Sequence, residues 1–236
     1  MKAKILKQII PLEEANYEWT YLVNETLEGE KCIVPLLREI LANPVVKGAL
    51  ADDIKRQLDE EAQHVRLFYG LVGKDRISGS GYRQKLYTYV QSLPNLTLKL
   101  FSLQALLEGF ALGSLKHRLS LIENSPSQKV DEQAYAEELN HVMFSYKHFG
   151  YLKQVEGEVS DFEFRKTTRD VNSILSGSFN GENLKAKFLE NFGVNIENPE
   201  SLVPTEGMRQ FRETTIKHVI KNKNSFINAY KKAENA

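Results

Sequence analysis

The chain carries the pattern Glu-Glu-x-x-His twice, at Glu60–His64 and Glu137–His141, each time inside a stripe of apolar residues. The first stripe reads Ile54, Leu58, Glu61, Val65, Phe68; the second reads Tyr135, Glu138, Val142, Phe149, with Ser145 between the last two. Spacings of three and four residues put each stripe on one face of an α-helix, and each Glu-x-x-His pair falls on that face together. A charge on an apolar face is costly unless something pairs with it. Two more stripes hold one glutamate each: Val23, Leu27, Glu30, Val34, Leu37, Leu41, and Phe101, Ala105, Glu108, Leu112, Leu115, Leu119. Alternating threes and fours on four segments are the mark of helix-bundle packing.

The periodicity predicts four long helices, from Leu12 to Ala42, from near Pro44 or Ala51 to Leu71, from Asn95 to Ile122 and from Ser127 to Val155, with a short one over Tyr82–Ser92. Pro35 falls inside the first, where it removes a backbone hydrogen bond and is expected to kink or break the helix. No stretch sustains strand-like alternation, so the chain reads as all-α. After residue 156 the texture changes, and "DFEFRKTTRDVNSIL", "GENLKAKFLENF" and "EGMRQFRETTIKHVIKNKNSFINAYKKA" read as three further helices. The expected organisation is a bundle over residues 1–156 and C-terminal helices over 157–236 that pack on it or cap it.

Four carboxylates buried together repel one another and resist ionisation. Two divalent cations cancel four negative charges. Glu30, Glu61 with His64, Glu108, and Glu138 with His141 form the set of two glutamates and two Glu-x-x-His pairs that holds two metals in carboxylate-bridged bundles. Oxygen and imidazole donors suit iron, with manganese as the alternative. "NETLEGEK" also offers Glu25 and Glu28, but Glu30 fits the stripe, which leaves the other two as solvated or supporting groups. Glu60 and Glu137 precede the ligand glutamates and are placed to orient the opposite histidines, or else to be surface charges. His117 and His218 read as surface or core histidines, and His148 lies two turns beyond His141. Tyr21, Tyr69 and Tyr146 are interface tyrosines or hydrogen-bond donors near the metals.

Around Glu108 the chain reads "EGFALGS". Small residues there let backbones approach, and Gly113 suits that packing role. Ala111 lies about 60° from Glu108 around the helix. With Leu112, it is expected to border the metal face and leave room for substrate.

These residues resemble the ferritin-like di-iron carboxylate superfamily, and within it the cyanobacterial-type aldehyde-deformylating oxygenases. "LEGEK" is similar to that family's first-helix segment, in which the second Glu of E-G-E binds iron, which again selects Glu30. "LLEGFALGS" resembles its third-helix segment and "EELNHVMF" its fourth, and the likeness covers roughly residues 17–195. Gln63 stands where the family usually has Arg. The resemblance implies a ferritin-like four-helix bundle with additional C-terminal helices. It also implies oxygen activation by two irons, with Glu61 and Glu138 bridging and Glu30 and Glu108 terminal. The implied reaction cleaves a long-chain fatty aldehyde to a shorter hydrocarbon and formate. The residues themselves support only a small apolar or amphipathic substrate and electrons from outside the chain; dioxygen and a donor such as ferredoxin are the partners expected of an oxygenase. Two other readings of the same ligands are a ferroxidase or iron-handling protein and a manganese catalase or peroxidase.

Charge is balanced, with 31 basic and 31 acidic residues, which argues against a nucleic-acid partner. That also disfavours the tRNA-modifying di-iron hydroxylases, which share the E-E-x-x-H motifs. Cys32 is the single cysteine, so the chain has no internal disulfide and fits a reducing, cytoplasmic setting. The apolar run near the N-terminus is too short for a signal peptide, and no membrane span is expected.

Overall fold

The computed structural model describes residues 12–72, 82–121, 128–179 and 206–233, and the regular structure among them is entirely helical. Helix α1 is Leu12–Leu41, α2 is Gly48–Val72 and α3 is Tyr82–Ser92. Helix α4 runs through Leu96–Leu100, a π-helical stretch Phe101–Leu107, and Glu108–Leu121. Helix α5 runs through Gln128–Phe144, a 3-10 turn Ser145–His148, and Phe149–Glu156. Helices α6, Asp161–Phe179, and α7, Glu206–Lys232, complete the set. The helix expected over "GENLKAKFLENF" lies outside the described residues.

Pro35 does not break α1. The helix forgoes one bond to the Lys31 carbonyl, while Ile33, Leu36 and Leu37, all 4% exposed or less, pack against the core on both sides of the proline. Asn95 caps α4 by accepting from the Leu98 N–H at 2.9 Å. The Glu156 carboxylate takes the Leu96 and Thr97 N–H groups at 2.8 and 3.1 Å, which pins the start of α4 to the end of α5. Gly157, at φ 81°, ends α5 in a backbone conformation that favours glycine.

Cross-helix bonds fix the directions. Arg118 near the end of α4 reaches Asp131 near the start of α5 at 2.7 Å, and also Leu22 O on α1 at 3.2 Å. Asp53 early in α2 meets His148 late in α5. Helices α1, α2, α4 and α5 therefore surround one core, with α4 antiparallel to α1 and α5, and α2 antiparallel to α5.

Helix α7 lies antiparallel along α4. A Cβ added at Gly113 would stand 2.5 Å from Thr215 Cα, and one at Gly109 would stand 3.0 Å from Val219 Cα. The two glycines, four apart on one face, are what lets the helix backbones approach this closely. Phe101, Phe149, Phe164, Phe226 and Tyr230 join α4, α5, α6 and α7 in one aromatic cluster, with ring centroids 4.7–5.4 Å apart in the closest pairs. Helix α4 is thus covered along most of its length, and Phe101–Leu107 is buried at every position. That explains why a single apolar stripe underdescribes its sequence. Leu96–Ser120 is long and apolar enough to cross a membrane, and 83% of its apolar window is buried within the protein.

Candidate metal centre

At mid-height of the four helices, Glu30, Glu61, His64, Glu108, Glu138 and His141 converge, each 2% exposed or less. They form two overlapping groups, Glu30–Glu61–His64–Glu138 and Glu61–Glu108–Glu138–His141, in each of which one donor atom per residue lies within 4.8 Å of all the others. Glu61 turns Oε2 toward His64 Nδ1 at 3.3 Å and Oε1 toward His141 Nδ1 at 2.9 Å. Glu138 turns Oε1 toward His64 Nδ1 at 3.4 Å and Oε2 toward His141 Nδ1 at 2.9 Å. Each of these carboxylates therefore spans both histidines, one oxygen apiece. Glu30 lies on the His64 side at 3.8 Å and Glu108 on the His141 side at 3.9 Å.

The outer nitrogens are held crosswise. His64 Nε2 meets Glu137 Oε2 at 2.6 Å, and His141 Nε2 meets Glu60 Oε2 at 2.7 Å. Each Glu-Glu-x-x-His motif thus uses its second glutamate inward and its first to orient the other motif's histidine, leaving both Nδ1 atoms facing the centre. Glu60 and Glu137 are therefore orienting groups with about a quarter to a third of each side chain still exposed, at 31% and 25%.

The protonation pattern follows from burial and neighbours. Burial pushes Glu30 well above the usual carboxylate range, and the charges of Glu61 and Glu138 push it further, against His64. Glu108 rises likewise through burial and then Glu138 and Glu61. Burial also opposes ionisation of Glu61 and Glu138. For Glu61 the charge of His141, and then hydrogen bonds from Glu30 and both histidines, bring it well below the usual value. For Glu138, both burial and the Glu61 charge are outweighed by His141 and the hydrogen bond from His64. Burial opposes protonation of His64, yet bonds to Glu138 and Glu61 carry it up to about 12. His141 rises well above the ordinary imidazole value for the same reasons, chiefly the charges of Glu138 and Glu61. These directions favour charge on both imidazoles and on Glu61 and Glu138, and the neutral form of Glu30 and Glu108.

The two overlapping groups of buried donors are compatible with metal binding. Glu30 Oε2 and Glu108 Oε2 are buried without a hydrogen-bond partner among the described residues, and Glu138 Oε1 meets only His64 Nδ1 at 3.4 Å, an arrangement that positive ions would resolve. Comparisons with protein-family models, with curated proteins and with solved structures find no match to this chain. What the centre can do rests on its own geometry.

One functional group escaped the sequence reading. Gln57, 1% exposed, donates Nε2 to Glu108 Oε1 at 2.8 Å and to Glu61 Oε1 at 3.3 Å. Its signal was there: it lies one turn before Glu61 on the same face, a polar residue in a buried stripe. The π-helical stretch ending at Glu108, whose N–H bonds Leu103 O five residues back, was also unforeseen.

Other expectations separate. Glu25 and Glu28 are not solvated: they are 8% and 5% exposed, and Glu28 accepts from Lys31 Nζ at 2.7 Å. His117 is a core residue beside Phe211, and His218 bonds its own helix at Thr214 O. His148 stands apart from the cluster, 2.7 Å from Asp53. Tyr69 is half exposed, and Tyr146 packs on Phe149 and Phe226 rather than on the centre. The side chain of Tyr21 lies outside the described residues. Leu112 is buried at 1% exposure and Ala111 is partly exposed.

Proposed function

We propose that this protein is an oxygen-activating di-iron oxygenase with a ferritin-like bundle, acting on a small apolar substrate of the fatty-aldehyde class. One observation carries the reading: Glu61 and Glu138 each reach both histidines, so two ligand sets share two carboxylates, with Glu30 and Glu108 one to each side. A single-ion site has no use for that sharing. When bound, two ions of variable valence supply electrons and open coordination positions for dioxygen.

The chain's own residues do the rest. Glu60 and Glu137 hold the imidazoles so that Nδ1 faces inward, and Gln57 steadies Glu108. The surroundings support an apolar substrate: Val23, Leu27, Phe68, Leu115 and Ala134 form a buried cluster beyond the centre. The chain has one cysteine and no cysteine-ligated redox cluster, which supports an external one-electron donor.

The test is elemental analysis of the purified protein, followed by oxygen uptake and formate release with a reductant and a long-chain aldehyde. About two irons per chain are expected, lost together in Glu61→Ala or Glu138→Ala. Glu30→Ala is expected to lose metal as well, whereas Glu28→Ala retains it. Full occupancy in Glu61→Ala and Glu138→Ala overturns the site. Manganese with peroxide disproportionation replaces the function by a catalase, and a multi-subunit shell with a mineral core replaces it by iron storage.

A further inference from the structure

Between the centre and the end of the bundle that holds the α1–α2 turn, two polar columns face each other. On α2, Asp53, Gln57 and Glu61 follow at one-turn intervals, at 6%, 1% and 0% exposure. On α5, His148, Ser145 and His141 do the same, at 7%, 0% and 2%. Each column spans about 11 Å along its helix axis. The columns are tied at both ends: His141 Nδ1 lies 2.9 Å from Glu61 Oε1, and His148 Nε2 lies 2.7 Å from Asp53 Oδ2.

Between the ties stand polar atoms with no partner among the described residues: Gln57 Oε1, Ser145 Oγ, and both amide atoms of Gln104. Gln104 sits one turn before Glu108, in the π-helical stretch of α4, at 0% exposure. Each buried polar group left unpaired costs about 1–3 kcal/mol. Apolar residues of similar size would avoid that cost, and folded proteins resolve such groups with buried water. The outer tie reaches the surface. Asp53 also pairs with Lys147 Nζ at 2.7 Å and Arg56 Nη2 at 3.1 Å, and those side chains are 58% and 59% exposed.

We propose that the Asp53–His148 pair is the surface terminus of a proton path, and that water held by Ser145, Gln57 and Gln104 carries it to the buried carboxylates. The path rests on the metal reading above. Reduction of dioxygen to two waters by an external donor consumes four protons with four electrons, and a centre closed to solvent needs a route for them. In the inward direction, His148 takes a proton from solvent while Asp53 holds the imidazolium. That proton passes to the water at Ser145, and a water proton moves on to a carboxylate oxygen of Glu108 or Glu61. Only N–H and O–H bonds change, and no electrons move. Asp53 is the charged group bonded to the imidazole, and Arg56 on α2 and Lys147 on α5 share its carboxylate.

The experiment mixes metal-free protein rapidly with two equivalents of Co(II) in weakly buffered solution. A pH indicator reads the protons leaving and the visible cobalt bands read the metal. His148→Gln keeps a donor for Asp53 but cannot titrate. It is expected to release the wild-type number of protons at least tenfold more slowly. In His148→Ala, 2,6-lutidine, a hindered base that binds metal poorly, is expected to restore the rate. Ser145→Ala and Gln104→Leu are expected to slow release without changing its extent. An unchanged rate in both His148 variants overturns the path. So does slow release in both that lutidine leaves slow, which marks a structural role. A wild-type protein that binds no cobalt and releases no protons overturns the metal reading, and the path falls with it.

Discussion

Loading the centre with two divalent ions exchanges protons for metal, and the structure sets the count. Burial and the neighbouring charges favour protonated His64 and His141, neutral Glu30 and Glu108, and ionised Glu61 and Glu138 before metal enters. Coordination requires both imidazoles neutral and all four carboxylates ionised. Two protons leave from the histidines and two from the glutamates. The product of the two binding constants then rises by about four powers of ten per pH unit across neutral pH, which is about 2.7 kcal/mol per ion.

The sign follows from the direction of each shift. Glu30, Glu108, His64 and His141 have raised values, so they stabilise the metal-free fold most at low pH and progressively less as pH rises. Glu61 and Glu138 have lowered values, and their contribution is lost in acid. Metal-free protein therefore loses stability from neutral pH upward, while the metal-loaded protein gains it relative to the metal-free form. The assay is calorimetric titration at neutral pH in two buffers of different ionisation enthalpy, repeated one pH unit lower. About four protons per two ions are expected, with affinity weaker by about a hundredfold per ion at the lower pH. Release of two or fewer, or affinity indifferent to pH, refutes the protonation pattern.

Gly113→Ala places a Cβ 2.5 Å from the Thr215 backbone and is expected to destabilise the fold by about 1–3 kcal/mol or more, read as a drop in Tm. Gly70→Ala, with nothing within 4 Å of its Cβ, is expected to stabilise by roughly 0.5–1 kcal/mol in the same measurement. Equal effects would mean that the α4–α7 seam does not depend on its glycines. Ala111→Phe is expected to retain both metals and to lower turnover of long-chain aldehydes more than short ones. An even loss across a chain-length series removes Ala111 from the substrate path.

The convergence of these six side chains was readable from local sequence because a helix converts spacing into direction. Glu61 with His64 and Glu138 with His141 had to share faces, and Glu30 and Glu108 sat where their stripes expected apolar residues. The crosswise grip of Glu60 and Glu137 was only one of two readings, because it depends on α2 and α5 lying antiparallel at matching height, which no single helix encodes. The π-helical stretch before Glu108 has no period of its own in seven residues. Helix α4 hid its second face because apolar residues cover it all round, and its partner α7 lies about a hundred residues further on. "Solvated" failed for Glu25 and Glu28 because burial is decided by neighbours that sequence proximity does not reveal.

The glycine seam between α4 and α7 has a consequence in time. During synthesis, the largely apolar segment from Leu96 to Ser120 is complete long before Glu206–Lys232 exists to cover it. At about 5–20 residues per second, the 112 residues from 121 to 232 take roughly 6–22 s to add. For that interval Gly109 and Gly113 lack the α7 backbone that packs on them in the folded protein. The close contact between the two helices can therefore form only when synthesis is nearly finished.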